Sequence, residues 1–143
     1  MSKIERAWAA GFFDGEGGTY YHGPELEYVY GGGSGRISMK VSQVERGVLD
    51  RFQAAVGVGK VLGPYPSRRG FQDVYRWEIS NYEGVKKAAA ALWPYLSDVK
   101  REQMTSAMDR KEAALEMKKA RGGPDRNRTT GRYEPKVFVN NGR

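Results

Sequence analysis

The sequence contains no cysteine and a single histidine, His22. Disulfides, thiolate zinc centres and cysteine nucleophiles are thereby excluded, and one imidazole is too few for a His-rich zinc site or a ββα-metal nuclease centre. Long apolar runs are missing as well. Nothing approaches the length of a membrane span and no signal-peptide pattern opens the chain, which predicts an intracellular protein (cytoplasm, nucleoid or an organelle) with no membrane partner. Acids are the scarcer charge: 17 Asp and Glu stand against 24 Lys and Arg, a net +7 over 143 residues. An excess of that size favours a polyanionic partner, while a membrane surface or plain solubility is also compatible with it, and the length suits one domain with a real core.

The stretch around which the rest is arranged runs from Trp8 to Gly18, an apolar, small-residue helix leading into two acids set between glycines. Acids at a helix C-terminus oppose the macrodipole, so Asp14 and Glu16 point to a task that outweighs a local cost. Binding a divalent cation through carboxylate oxygens is one such task; the plain alternative is a Gly-rich turn with solvated acids. Gly15, Gly17 and Gly18 are expected to supply the positive φ of a helix stop and to let another backbone approach. Upstream, Ser2 and Glu5 have capping-box spacing. Ile4, Trp8, Gly11 and Phe12 repeat at helical spacing, and Ala7, Ala10 and Gly11 form a small-residue stripe. That stripe suits tight packing inside the subunit or pairing with a second copy of the helix.

Residues 19–22 and 26–30 read as an aromatic-rich hairpin, with a flexible glycine turn at 31–35. Residues 36–43 alternate strictly: Ile37, Met39 and Val41 face one side, and Arg36, Ser38, Lys40 and Ser42 the other. The second face is basic and hydroxylated, as suits phosphates and base edges or a solvated sheet surface. Residues 45–56 return to helical spacing. A strand at 60–62, a basic turn holding Arg68 and Arg69, and a strand at 72–80 follow, the last with Tyr75, Trp77 and Ile79 opposed to Arg76, Glu78 and Ser80. Ser80 and Glu83 offer a second capping box, opening a helix that ends near Pro94, and a fourth helix carries Met104, Ala107, Met108 and Leu115 on one side. The order predicts an α+β fold: a twisted antiparallel sheet with helices on one face and an open, basic saddle on the other.

The segment from Ala10 to Gly17 resembles the signature of the LAGLIDADG homing endonucleases, in the variant whose last acid is Glu. Residues 36–43, 56–61, 93–96 and 99–103 resemble further segments in that family's order, so the likeness extends over about residues 4–117. It implies the αββαββα saddle fold and Mg²⁺-dependent cleavage of both strands of a long, nearly palindromic double-stranded DNA. By resemblance Glu16 is the catalytic metal-binding acid, with Gly15 beside it at the metal. Asp14 is the first, mainly structural acid, and Gln43 organises the water network. Lys100 offsets charge building on the phosphate, on an alignment with one extra residue between Leu96 and the lysine. One motif supplies one key carboxylate per subunit, which implies a homodimer whose axis runs between the first helices, with Ala7, Ala10, Gly11 and Asp14 at the interface. DNA contacts are expected from Arg36, Ser38, Lys40, Arg68, Arg69, Gln72 and Arg76, with Arg46 as a further basic residue of the site.

The chain departs from the family pattern at Ala9, where a leucine is usual, and in an insertion over residues 23–35 whose Glu25 and Glu27 would repel phosphate. Two other readings stand: a non-cleaving nucleic-acid-binding protein of the same fold (an intron maturase or a transcriptional regulator), and a basic binding module whose acids merely sit in a capped turn. Residues 1–120 are expected to form the endonuclease domain. Residues 121–143 hold six Lys/Arg and two acids, +4 of the +7, and read as a flexible basic tail that either follows a DNA backbone or is simply solvated.

Overall fold

The computed structural model describes residues 2–23, 34–68, 70–121, 125–126 and 133–134. Helix α1 (Lys3–Glu16) starts where Ser2 Oγ accepts the Glu5 N–H at 3.2 Å. The reciprocal half of the expected capping box does not form. Glu5 instead takes a bidentate pair from Arg51 at 2.9 and 3.0 Å, a charge-assisted contact that outcompetes a backbone N–H. At the far end Gly17 closes the helix with its N–H on Phe13 O, at φ −95°. None of Gly15, Gly17 and Gly18 has positive φ, and Gly17 and Gly18 serve close approach instead: a Cβ on Gly17 would lie 2.2 Å from the Phe13 ring, whereas one on Gly15 would meet nothing.

Four strands follow the expected order: β1 (Gly17–His22), β2 (Arg36–Gln43), β3 (Lys60–Tyr65) and β4 (Val74–Ile79), arranged β1-β2-β4-β3 with every pairing antiparallel. β4 begins two residues later than the alternation suggested, leaving Gln72 in the preceding loop. The proposed strand at 26–30 lies outside the described residues. Helices α2 (Arg46–Val56) and α3 (Tyr82–Leu92) join α1 over one sheet face. The α3 cap is Asn81, whose Oδ1 accepts the Gly84 N–H at 2.7 Å, while Glu83 pairs with Lys86; the N-cap is thus one residue beyond Ser80, and with Gly84 at N3 the expected second capping box does not form.

Ile37, Met39, Val41, Trp77 and Ile79 face these helices and meet Ala9, Ala10, Phe13, Leu49, Phe52, Val85, Ala88 and Leu92 in a continuous core. Phe52 is its hub, edge-on to Trp77 at 4.8 Å and stacked with Phe13 at 6.2 Å. The Trp77 indole N–H donates to Val58 O at 2.9 Å, so the largest core side chain leaves no orphaned donor.

A 3₁₀ turn (Trp93–Tyr95) leads to α4 (Asp98–Arg121), which lies along β1 and buries Met104, Ala107 and Ala114. Met108 and Leu115 are only partly covered. Lys111 sits at the centre of the buried stripe instead, donating to Ser34 O, Ser34 Oγ and Gly35 O at 2.7 to 3.1 Å. Burial, and then Lys118, push its ammonium below the ordinary lysine value. Beyond α4, β5 (Asp125–Arg126) and β6 (Tyr133–Glu134) pair with each other; the rest of the basic tail lies outside the described residues. No helix among the described residues is long and apolar enough to cross a membrane.

Candidate functional site

The two acids of α1 have different surroundings. Asp14 accepts the Ser97 N–H on both oxygens at 3.1 Å and the Ser97 hydroxyl at 2.9 Å, a link across 83 residues. Ser97 in turn caps α4, its Oγ accepting the Lys100 N–H at 3.3 Å. Asp14 thus lies between the negative end of α1 and the positive end of α4, and the second offsets the first. Glu16 is exposed and makes no hydrogen bond or ion pair with the described residues.

Lys100, one turn into α4, reaches back to the same spot. Its Nζ donates to Gly17 O at 2.5 Å and stands 5.9 Å from the centre of the Phe13 ring. Asp14, Ser97, Lys100 and Gly17 therefore form a chain of contacts that fixes an ammonium on the carbonyl of Gly17, the residue that follows Glu16 in sequence. The pairing of Gly17 with Val41 carries the end of β2 past this point, which places half-buried Gln43 at the α1 C-terminal edge of the sheet, opposite Tyr75. Arg46 stands at the same edge, 5.8 Å over the Tyr75 ring and 3.5 Å from Asp50.

No group of three or more His, Cys, Asp or Glu suited to a metal occurs among the described residues. The donor set at the end of α1 is a free carboxylate, Glu16, beside terminal helix carbonyls such as that of Gly15, which have no partner in a following turn. Such hard oxygen donors fit Mg²⁺, an ion that keeps several waters and is commonly held by one or two carboxylates together with substrate phosphates. A single subunit offers part of such a site.

The sheet face away from the helices carries the predicted basic residues in rows. Arg36 pairs in register with His22, Lys40 with Gly18 and Glu78, and Ser42 with Arg76. Ser38 has the expected orientation but is only 1% exposed, and its Oγ has no partner among the described residues, so it cannot reach a ligand as the face stands. Arg68 and Gln72 are exposed in the β3–β4 connection; Arg69 lies outside the described residues. The sequence pattern passed over Lys60 and Tyr65 of β3, because Gly63 and Pro64 and the irregularity between Leu62 and Tyr65 interrupt alternation there. It also passed over Tyr20 and His22, whose rings stack at 6.3 Å.

On α1 the exposed residues are Lys3, Ile4 (78% exposed), Arg6, Ala7, Gly11, Gly15 and Glu16; Ile4, Ala7, Gly11 and Gly15 form a stripe among them, and a Cβ added at either glycine would meet nothing. Ala10 is fully buried against the core of its own chain, so it is not available on the outer face of α1 where the expected interface placed it. Asp14 is half-buried and committed to Ser97.

No protein-family model and no curated protein matches the sequence. Solved structures do match. The homing endonuclease I-CvuI, in complex with its target in the presence of 2 mM Ca, is 22% identical with a TM-score of 0.57 over 76% of this chain and 66% of that one. The archaeal intron-encoded homing endonuclease I-Vdi141I, complexed with DNA, is 18% identical with a TM-score of 0.55 over 82% and 71%. The LAGLIDADG meganuclease I-CpaMI, bound to uncleaved DNA, is 18% identical with a TM-score of 0.57 over 84% and 41%. The chain thus spans about two thirds of the length of I-CvuI and less than half of I-CpaMI. It is an α+β protein built on a four-stranded antiparallel saddle. That fold is the LAGLIDADG homing-endonuclease fold.

Proposed function

We propose that this chain is a site-specific endonuclease that hydrolyses both strands of a long, nearly palindromic double-stranded DNA, acting as a homodimer with Mg²⁺. The observation that carries this reading is the Lys100 ammonium held on the carbonyl of Gly17, directly after Glu16, whose carboxylate makes no ion pair among the described residues. Phosphodiester hydrolysis needs charge of both signs at one point, and Glu16 and Lys100, 84 residues apart in sequence, would supply it.

Glu16 and the Gly15 carbonyl would hold the metal, which when bound acts as a Lewis acid toward phosphate oxygens. Lys100 spends one N–H on Gly17 and keeps donors for the negative charge that grows on the phosphate. The Gln43 carboxamide, both donor and acceptor, orients water at the same edge. Arg36, Lys40, Lys60 and Arg76 on the open face, with Arg68 and Arg46 at its margins, bind backbone phosphates and base edges. One subunit offers one such carboxylate for two scissile strands. The outward stripe of Ile4, Ala7, Gly11 and Gly15 supports a close helix–helix pairing that brings two copies of Glu16 together.

The test is incubation of the protein with a mixed duplex library in Mg²⁺, followed by sequencing of new ends, with Glu16→Gln as control. Staggered ends within one nearly palindromic sequence, lost in the control, are expected. Enriched but uncut DNA would replace this reading by a non-cleaving nucleic-acid-binding protein. Sedimentation of the free protein checks the dimer; a monomer at micromolar concentration and no pairing on DNA would remove it.

A further inference from the structure

Glu78 is out of place on a face that binds a polyanion. Its carboxylate stands 3.8 Å from Arg76 Nη1, and the two side chains are 28% and 36% exposed. At that separation the ions attract without an N–H···O hydrogen bond, so the hydrogen-bonding capacity of each stays open. Arg76 is held from a second side by the Tyr65 ring, 5.3 Å from its guanidinium carbon. Between the two, Trp77 is fully buried on the opposite face and fixes the strand that carries them. Lys40 of β2 and Lys60 of β3 both pair in register with Glu78, so its charge is flanked by cations on either side.

An arginine fork beside a carboxylate presents two donors and then an acceptor. In the major groove a G·C pair presents guanine N7 and O6 as acceptors, then cytosine N4–H₂ as donor. The two strings are complementary. An A·T pair sets its adenine N6 donor against the fork, and a C·G pair sets its N4 donor there. We propose that Arg76 and Glu78 together read one G·C pair per half-site, Arg76 donating to guanine and Glu78 accepting from cytosine N4. This rests on the DNA-binding reading above and assigns a base to one point of the saddle. Lys40 and Lys60 offset the repulsion between Glu78 and the phosphates.

The test is selection from a random-sequence duplex library by the full-length protein in Ca²⁺, run with the wild type, with Glu78→Gln, and with the exchange Arg76→Glu/Glu78→Arg. The wild type should prefer one G·C pair per half-site by roughly 5- to 150-fold, and Glu78→Gln, which keeps the Arg76 fork on guanine but replaces a charged acceptor by an amide, should lower that preference several-fold without abolishing it. The exchanged pair presents the string in reverse and should select C·G at the same position, leaving the other positions unchanged. Identical preferences in all three proteins at every pair would overturn the inference while leaving DNA binding intact. Failure of the wild type to enrich any duplex would overturn both. Because the exchange alters a strand, thermal melts accompany the selection; if the exchanged protein does not fold, a lowered or an unchanged preference in Glu78→Gln decides the matter.

Discussion

Replacing Asp14 by Asn and, separately, Glu16 by Gln distinguishes a carboxylate that holds the fold from one that is held ready for a ligand. Asp14 accepts three contacts from Ser97 and places a negative charge at the start of α4. Hydrogen bonds to a charged group contribute about 1.5–3 kcal/mol, and an amide retains the geometry of only part of them. Asp14→Asn should therefore cost about 1–3 kcal/mol, which for a chain of this size lowers Tm by roughly 3–10 °C. Glu16 touches nothing among the described residues and sits at the negative end of α1. Its neutralisation should change stability by no more than about 0.5 kcal/mol, or raise it by a few tenths as repulsion with the helix dipole is relieved. Melting followed by circular dichroism at pH 7, without metal, reads both variants against wild type. Equal losses for Asp14→Asn and Glu16→Gln would refute the division of roles, since a free surface carboxylate has no native contact to lose.

Gly17→Ala drives a methyl to within 2.2 Å of the Phe13 ring and should cost about 1–3 kcal/mol by overpacking, read as a lower denaturant midpoint. Phe52→Ala removes the ring that joins α1 to β4 and should cost about 3–5 kcal/mol in the same assay, with a smaller loss arguing against a single core. Tyr82 donates to Glu112, and burial, then that bond, raise its phenol well above the ordinary value of 10.0. The unfolded chain therefore releases this proton first as pH rises, and native stability should fall from pH 10 upward; Tyr82→Phe should flatten that decline, and parallel profiles for the two proteins would contradict the assignment. Ile4→Glu on the outer stripe of α1 should leave the subunit's melt unchanged while weakening self-association in sedimentation.

The order of elements was legible because periodicity changes cleanly along this chain: alternation at residues 36–43 gives way to helical spacing by Leu49 and Phe52, and the strand face of Trp77 and Ile79 is set against Arg76 and Glu78. Helix starts were legible to within a residue. Their partners were not, because Glu5 and Glu83 each had a cation nearby in space that outcompeted the local backbone donor. A buried lysine at position 111 was illegible for a related reason, since its acceptors Ser34 and Gly35 are 77 and 76 residues away. Within the site, the likeness of residues 10–17 pointed to the acids, but their unequal surroundings depend on Ser97 and Lys100, which only the fold brings to the end of α1. Ser38 shows the limit of alternation: its register gives the face it lies on and says nothing of what covers it.

Both acids at the end of α1 carry the same electrostatic penalty, so what offsets each indicates its purpose. For Asp14 the offset is internal, the N-terminus of α4 and the Ser97 donors. For Glu16 no ion pair forms among the described residues, and the Lys100 ammonium is tied to the adjacent Gly17 carbonyl. A lysine has the length and freedom to form such a pair, and doing so would neutralise the carboxylate. Held apart, the two charges can act together on a third group that carries both signs, a phosphate with its cation, and the helix terminus bears the small cost of keeping them so. A chain in which Glu16 served stability alone would gain by letting Lys100 reach it. No such pair forms among the described residues, and that supports the proposal that the carboxylate is kept for a ligand.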